Sequence, residues 1–167
     1  MNQLNLPADP TIQFTSRIMD DLDSLQELRE KISHLPSSTR FSNEQIEIIY
    51  GIGHSLFMQG KFDSACNVFQ MMMIYRPLDS RILGAFALCC KRLARFDGAI
   101  PAFYAALLLE PTNLNLAVHL VECLNAIGNH EASLKLLEPL INLAVLDESY
   151  KDLLARAETI REMLRTA

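Results

Sequence analysis

A chain of 167 residues with a net charge of −5, half of it hydrophobic, is long enough to bury one sizeable core. Its fifteen lysines and arginines are scattered rather than clustered, so no phosphate-binding face is advertised and nucleic acid is not an expected partner. The longest apolar runs, such as Ala102 to Leu109, fall far short of the roughly 20 residues that span a bilayer, and the amino terminus lacks the basic and apolar regions of a signal peptide. These features predict a cytosolic protein that does not insert in membranes.

Residues 1–15, with Pro7 and Pro10, read as a loose leader. Within residues 16–40, the spacing of Ile18, Leu22, Leu25 and Ile32, with Leu28 adjoining, predicts a helix to about Ser33 whose apolar stripe lies opposite Asp20, Asp21, Asp23, Glu27 and Lys31. That stripe either joins a second copy of the chain in a dimer or folds back onto the repeats that follow. His34-Leu35-Pro36-Ser37-Ser38-Thr39 then breaks the helical pattern and reads as a linker.

Residues 41–147 carry a period. Pro77 and Pro111 are 34 residues apart, and at the same interval Gly60 recurs as Ala94 and Gly128, Phe62 as Phe96 and His130, Ala65 as Ala99 and Ser133, and Phe69 as Phe103 and Leu137. Such a repeat, with small residues where helices must touch, predicts an all-α solenoid of three helix–turn–helix units. Ser42 with Gln45 reads as a capping box opening the first unit. Its helices are predicted near 43–58 and 62–75, with Ile49, Ile52, Gly53, Leu56, Phe62 and Phe69 supplying its core. The second unit spans about Ser80 to Asn113 and turns at Ala94-Arg95. The third, Leu114 to Asp147, turns at Gly128, and Pro139 is expected to kink or end its second helix early. Residues 148–167 follow Asp147, a potential N-cap. Tyr150, Leu153, Leu154, Ala157, Ile160 and Leu164 form one face of a predicted capping helix, with polar residues outward.

Cys66, Cys89, Cys90 and Cys123 show no zinc-ligand spacing and read as buried packing thiols. His34, His54, His119 and His130 fall on a linker, two helix faces and a turn. With no nucleophile triad, glycine-rich phosphate loop or metal-spaced cluster visible, the sequence predicts neither an enzyme nor a cofactor or metal site.

In a curved stack the first helix of each unit lines the concave side. The expected contact residues are therefore Glu47, Tyr50, His54, Phe57 and Met58 in the first unit. In the second they are Arg81, Gly84, Leu88 and Lys91, and in the third Asn115, Val118, Glu122 and Asn125. Tyr50, His54 and Phe57, at i, i+4 and i+7, share one helical stripe. They line an aromatic groove or, alternatively, Tyr50 and Phe57 pack against the amino-terminal helix or an adjoining repeat. Each apolar anchor buried in such a groove contributes roughly 1.5–3 kcal/mol before ordering of the ligand is subtracted.

From about Ile46 to Leu137 the chain resembles the class II chaperones of type III secretion systems. The markers are Tyr50, Gly60-Lys61-Phe62 with Ala65, Val68-Phe69-Gln70, Asp79-Ser80-Arg81, Phe96-Asp97-Gly98-Ala99-Ile100, and Glu122-Cys123 before Gly128. The resemblance implies three tetratricopeptide repeats with an amino-terminal helical region, often dimeric. It implies a bacterial cytoplasmic chaperone that cradles an extended segment of hydrophobic translocator proteins, with Tyr50, His54 and Phe57 at the pocket. His54, Ala94, Pro139 and the long leader depart from the family pattern. Two other readings compete: a general repeat adaptor, whose lysine–asparagine carboxylate clamp is replaced here by Tyr50 and His54, and a chaperone of the secretion needle subunit.

Overall fold

Ser42 stops the chain from continuing as a loop. Its Oγ accepts from Gln45 N (3.2 Å), and Gln45 Oε1 accepts from Ser42 N (2.9 Å), so two of the orphan donors at the helix start are satisfied reciprocally. Helix α1 (Asn43–Met58) follows. The computed structural model describes residues 30–31 and 40–166. The leader and the stripe of Ile18, Leu22, Leu25 and Ile32 lie outside the described residues.

Six more helices come after α1: α2 (Phe62–Tyr75), α3 (Ser80–Arg92), α4 (Phe96–Leu109), α5 (Leu114–Ala126), α6 (His130–Ala144) and α7 (Lys151–Thr166). Asp79 caps α3 by accepting from Arg81 N at 3.0 Å, and Asn129 caps α6 by accepting from Ala132 N at 3.2 Å. Asp147 caps a short 3-10 turn over Glu148–Tyr150 ahead of α7, accepting from Ser149 N at 2.8 Å.

The three turns inside the repeats share one geometry. After α1, Lys61 N donates to Leu56 O (3.0 Å) and Gly60 N to Phe57 O (2.9 Å). After α3, Arg95 N donates to Cys90 O (2.9 Å) and Ala94 N to Lys91 O (3.0 Å). After α5, Asn129 N donates to Leu124 O (2.9 Å) and Gly128 N to Asn125 O (2.9 Å). This paired pattern closes a helix on a residue in the left-handed region. The φ values there are 75° at Gly60, 55° at Ala94 and 76° at Gly128. Ala94 adopts the conformation with a Cβ in place, which costs about 1–2 kcal/mol relative to glycine.

Each helix packs on the next, and the first helices α1, α3 and α5 also touch in succession, with α7 joining the row beyond α5. The period is the core seen from the side. Ala65, Ala99 and Ser133 are fully buried, as are Phe103 and Leu137, and Phe69 is nearly so. At the crossing of α1 and α2 no side chain fits, since a Cβ on Gly53 would lie 2.8 Å from Phe69 Cζ. One cluster of buried residues runs from α1 to α5. A second joins Leu114, Val118 and Val121 of α5 to Leu137, Leu140 and Ile141 of α6 and to Leu153 and Ala157 of α7.

Two sequence expectations need correction here. Ile52 is not core: it is 51% exposed, on the flank of α1 that no described helix covers. Pro139 does not end α6, which continues to Ala144. Its missing N–H removes a single bond, to the carbonyl of Lys135.

Candidate functional site

Between α1 and α3 the inner side opens into a hollow of about 260 Å³. Tyr50, His54, Phe57 and Met58 of α1 form one wall, Arg81, Gly84, Ala85 and Leu88 of α3 the other, and Leu116 of α5 the far end. Phe69 of α2 lies at the bottom, and Ser80, Glu110 and Asn113 stand at the rim.

The aromatic rings are half-buried and supported from behind. Tyr50 tilts against Phe69 with ring centroids 5.4 Å apart, and Phe57 meets Phe62 edge-on at 5.2 Å. Each ring is therefore held by another ring and keeps one side open, a geometry that gives apolar contact area at little entropic cost. The Arg81 guanidinium sits 5.6 Å from the Tyr50 centroid. Burial raises the Tyr50 phenol pKa and outweighs the opposing pull of Arg81, so the hydroxyl stays protonated across the neutral range.

Gly84 keeps the floor clear, because a Cβ there would lie 3.0 Å from Leu116 Cδ2. The rim is polar. Arg81 bridges Glu47 (2.8 Å) and Asp79 (3.1 Å). Across from it, Glu110 accepts from Ser80 Oγ (2.5 Å) and Asn113 Nδ2 (3.1 Å), bonds that lower its pKa. An apolar floor with donors and acceptors along the edge suits an extended chain, whose side chains go down while its backbone amides reach the rim.

Of the thirteen expected contact residues, seven line this hollow: Tyr50, His54, Phe57, Met58, Arg81, Gly84 and Leu88. Glu47 stands beside it through Arg81. The remaining five do not join it. Val118 is fully buried, because α6 and α7 pack over the face of α5 that carries it, and its assignment to the groove is withdrawn. Asn115 is exposed away from the hollow, and Asn125 Oδ1 lies 3.1 Å from His130 Nδ1. Lys91 and Glu122 pair with each other. His119 Nδ1 lies 3.0 Å from Lys91 Nζ and 3.1 Å from the Glu122 carboxylate, and Arg156 of α7 donates to the other oxygen of Glu122 at 2.5 Å. Burial raises the Glu122 pKa, but the bonds from His119, Lys91 and Arg156 together outweigh it and hold the carboxyl well below the usual range.

The sequence reading missed Phe69, Ser80, Ala85, Glu110, Asn113 and Leu116. Phe69 was assigned to core alone, whereas it is both core and floor. Ser80 and Asn113 stand where successive units join, so the sharp breaks at Asp79 and Asn113 were the signal available for the rim.

Among the described residues no three histidines, cysteines or acids are gathered to hold a metal ion, and no helix is long and apolar enough to cross a membrane. Residues 92–157 match the family model of the Tetratricopeptide repeat. The chain is 23% identical over 128 residues, 74% of either sequence, to Low calcium response locus protein H of Yersinia pestis. It is similar to the Yersinia enterocolitica type III secretion chaperone SycD, solved in complex with a peptide of the translocator YopD. There the TM-score is 0.72 at 21% identity, covering 77% of this chain and 98% of that one. It is also similar to a chain of a type III secretion complex from Aeromonas hydrophila, with a TM-score of 0.76 at 22% identity, covering 86% of this chain and 96% of the other. At these identities the likeness is one of architecture: the chain has a tetratricopeptide-repeat fold and shares its architecture with those solved chains.

Proposed function

We propose that this protein is a cytoplasmic chaperone of a bacterial type III secretion system. In this reading it holds an extended apolar segment of translocator proteins in the α1–α3 hollow. The observation that carries the proposal is the pair of backed, half-open rings, Tyr50 and Phe57, over a floor kept clear by Gly84. The peptide-bound chaperone of like fold supports it. Translocators insert in membranes, so before export their apolar segments aggregate unless covered. A groove that grips a chain at a few anchors covers it without folding it.

Co-expression with candidate translocators, followed by pull-down and mass spectrometry, tests the reading. Tyr50→Ala with Phe57→Ala is expected to weaken client binding at least tenfold while helical content by circular dichroism stays near wild type. Undiminished binding by that variant sinks the proposal.

We further propose that the chain dimerises through residues 16–33. The stripe of Ile18, Leu22, Leu25 and Ile32 has apolar surface to match at the open end of the stack, where Ile48 and Ile52 are 65% and 51% exposed. Leu22→Glu with Leu25→Glu should halve the mass seen by light scattering; an unchanged mass rejects dimerisation by this helix.

A further inference from the structure

We propose that, before a client arrives, the hollow is occupied by the chain's own leader, Leu4 to Ile12. This inference rests on the groove reading above and names the groove's resting occupant.

The composition of the leader is the first argument. Leu4, Leu6, Pro7, Pro10 and Ile12 fall within nine residues, and Asp9 is the sole charge among residues 1–16. Prolines hold such a segment extended and lack the N–H that would otherwise go unpaired over an apolar floor. Aromatic-lined grooves take extended proline-bearing chains for this reason.

Dimensions agree. At about 3.1 Å per residue in an extended proline-type helix, Leu6 to Ile12 spans about 19 Å. The hollow runs from α1 across α3 to α5, two helix spacings of about 8–10 Å each.

Reach is the third argument. The described chain enters the repeats at the groove's own end. Phe41 packs edge-on against Tyr75 at 4.7 Å, and the Arg76 guanidinium donates to Phe41 O at 3.1 Å, fixing the start of α1. From Asn43 to Tyr50 is about 10 Å along that helix. The residues between Ile12 and Arg40 cover this distance even with 16–33 helical as their stripe predicts. A tether of this length gives an effective concentration in the millimolar range, so weak anchors suffice, and a client with stronger anchors displaces them.

The probe is a fluorescent synthetic peptide of residues 3–14, titrated into two full-length proteins, wild type and Leu6→Asp/Ile12→Asp. The leader-disrupted variant should bind the peptide at least fivefold more tightly than wild type. The gap should not change with protein concentration, and adding Tyr50→Ala/Phe57→Ala should abolish binding. Equal affinities, no binding to either protein, binding that survives loss of the rings, or a gap that grows with protein concentration overturns occupancy by the chain's own leader. Translocator capture by the same proteins separates the two readings. If capture needs Tyr50 and Phe57 while the leader makes no difference, only this inference falls; if capture ignores the rings, the groove reading falls as well.

Discussion

Tyr50, Gly84 and Val118 occupy one register position in three successive repeats, yet the first two open onto a hollow and the third is sealed. At the front of the stack the inner face between α1 and α3 is left open by the described helices. At the back, α7 sits in the row after α5, turns the same position into core and ties Glu122 down through Arg156. A repeat position therefore has no fixed role: what stacks next to it decides whether an apolar side chain there becomes binding surface or stability. One end of the solenoid is open at this position and the other is closed.

The sharpest way to break this contrast is to place the same charge at both ends. Val118→Asp leaves a carboxylate without a partner in a dry cluster and should cost about 3 kcal/mol or more, lowering the melting temperature by roughly 6–12 °C. Tyr50→Asp, in the open hollow with water and Arg81 at hand, should cost about 1 kcal/mol while losing client capture. Equal losses of stability would mean that the front is as closed as the back.

A smaller effect tests the charged tie at the back. The Glu122 pKa is depressed in the folded state, so its contribution to stability is complete above the unfolded value near 4.3 and is lost as pH falls towards the folded value. Between about pH 5 and pH 3, the melting temperature of wild type should drop more steeply than that of Glu122→Gln. Parallel curves would show that the Lys91–His119–Arg156 cluster adds nothing to closure.

The smallest effect belongs to the turn within the second repeat. Ala94→Gly relieves the left-handed strain of about 1–2 kcal/mol but frees the unfolded chain by about 0.4–1 kcal/mol. The expected gain is a few tenths to about 1 kcal/mol, read as a rise of roughly 1–4 °C in melting temperature. A fall would mean that the Ala94 methyl packs usefully.

The helix boundaries and turns were legible in the sequence because each repeat carries its own punctuation: Ser42 with Gln45, Gly60, Asp79, Ala94, Gly128 and Asp147 all stand at ends. The front of the groove was legible for a related reason, since i, i+4, i+7 spacing on α1 needs only the helix to exist. Val118, Ile52 and Pro139 were misread because their roles are set by neighbours. The 34-residue equivalence of Val118 with Tyr50 carries no information about α7, and Ile52 follows the core pattern on a helix flank with no described partner. For Pro139, the loss is a single backbone bond in a helix that continues to Ala144.

The four cysteines sit in the buried cluster, with Cys66 Sγ and Cys90 Sγ 3.8 Å apart. Burial pushes the Cys89 and Cys90 thiols up to about 12 and Cys123 to about 11. An alkylating reagent at neutral pH meets almost no thiolate at Cys89, Cys90 or Cys123 in the native protein. Labelling then proceeds only as fast as the helices part, and the rate of sulfur capping becomes a stopwatch for breathing of the stack, readable with and without cargo aboard.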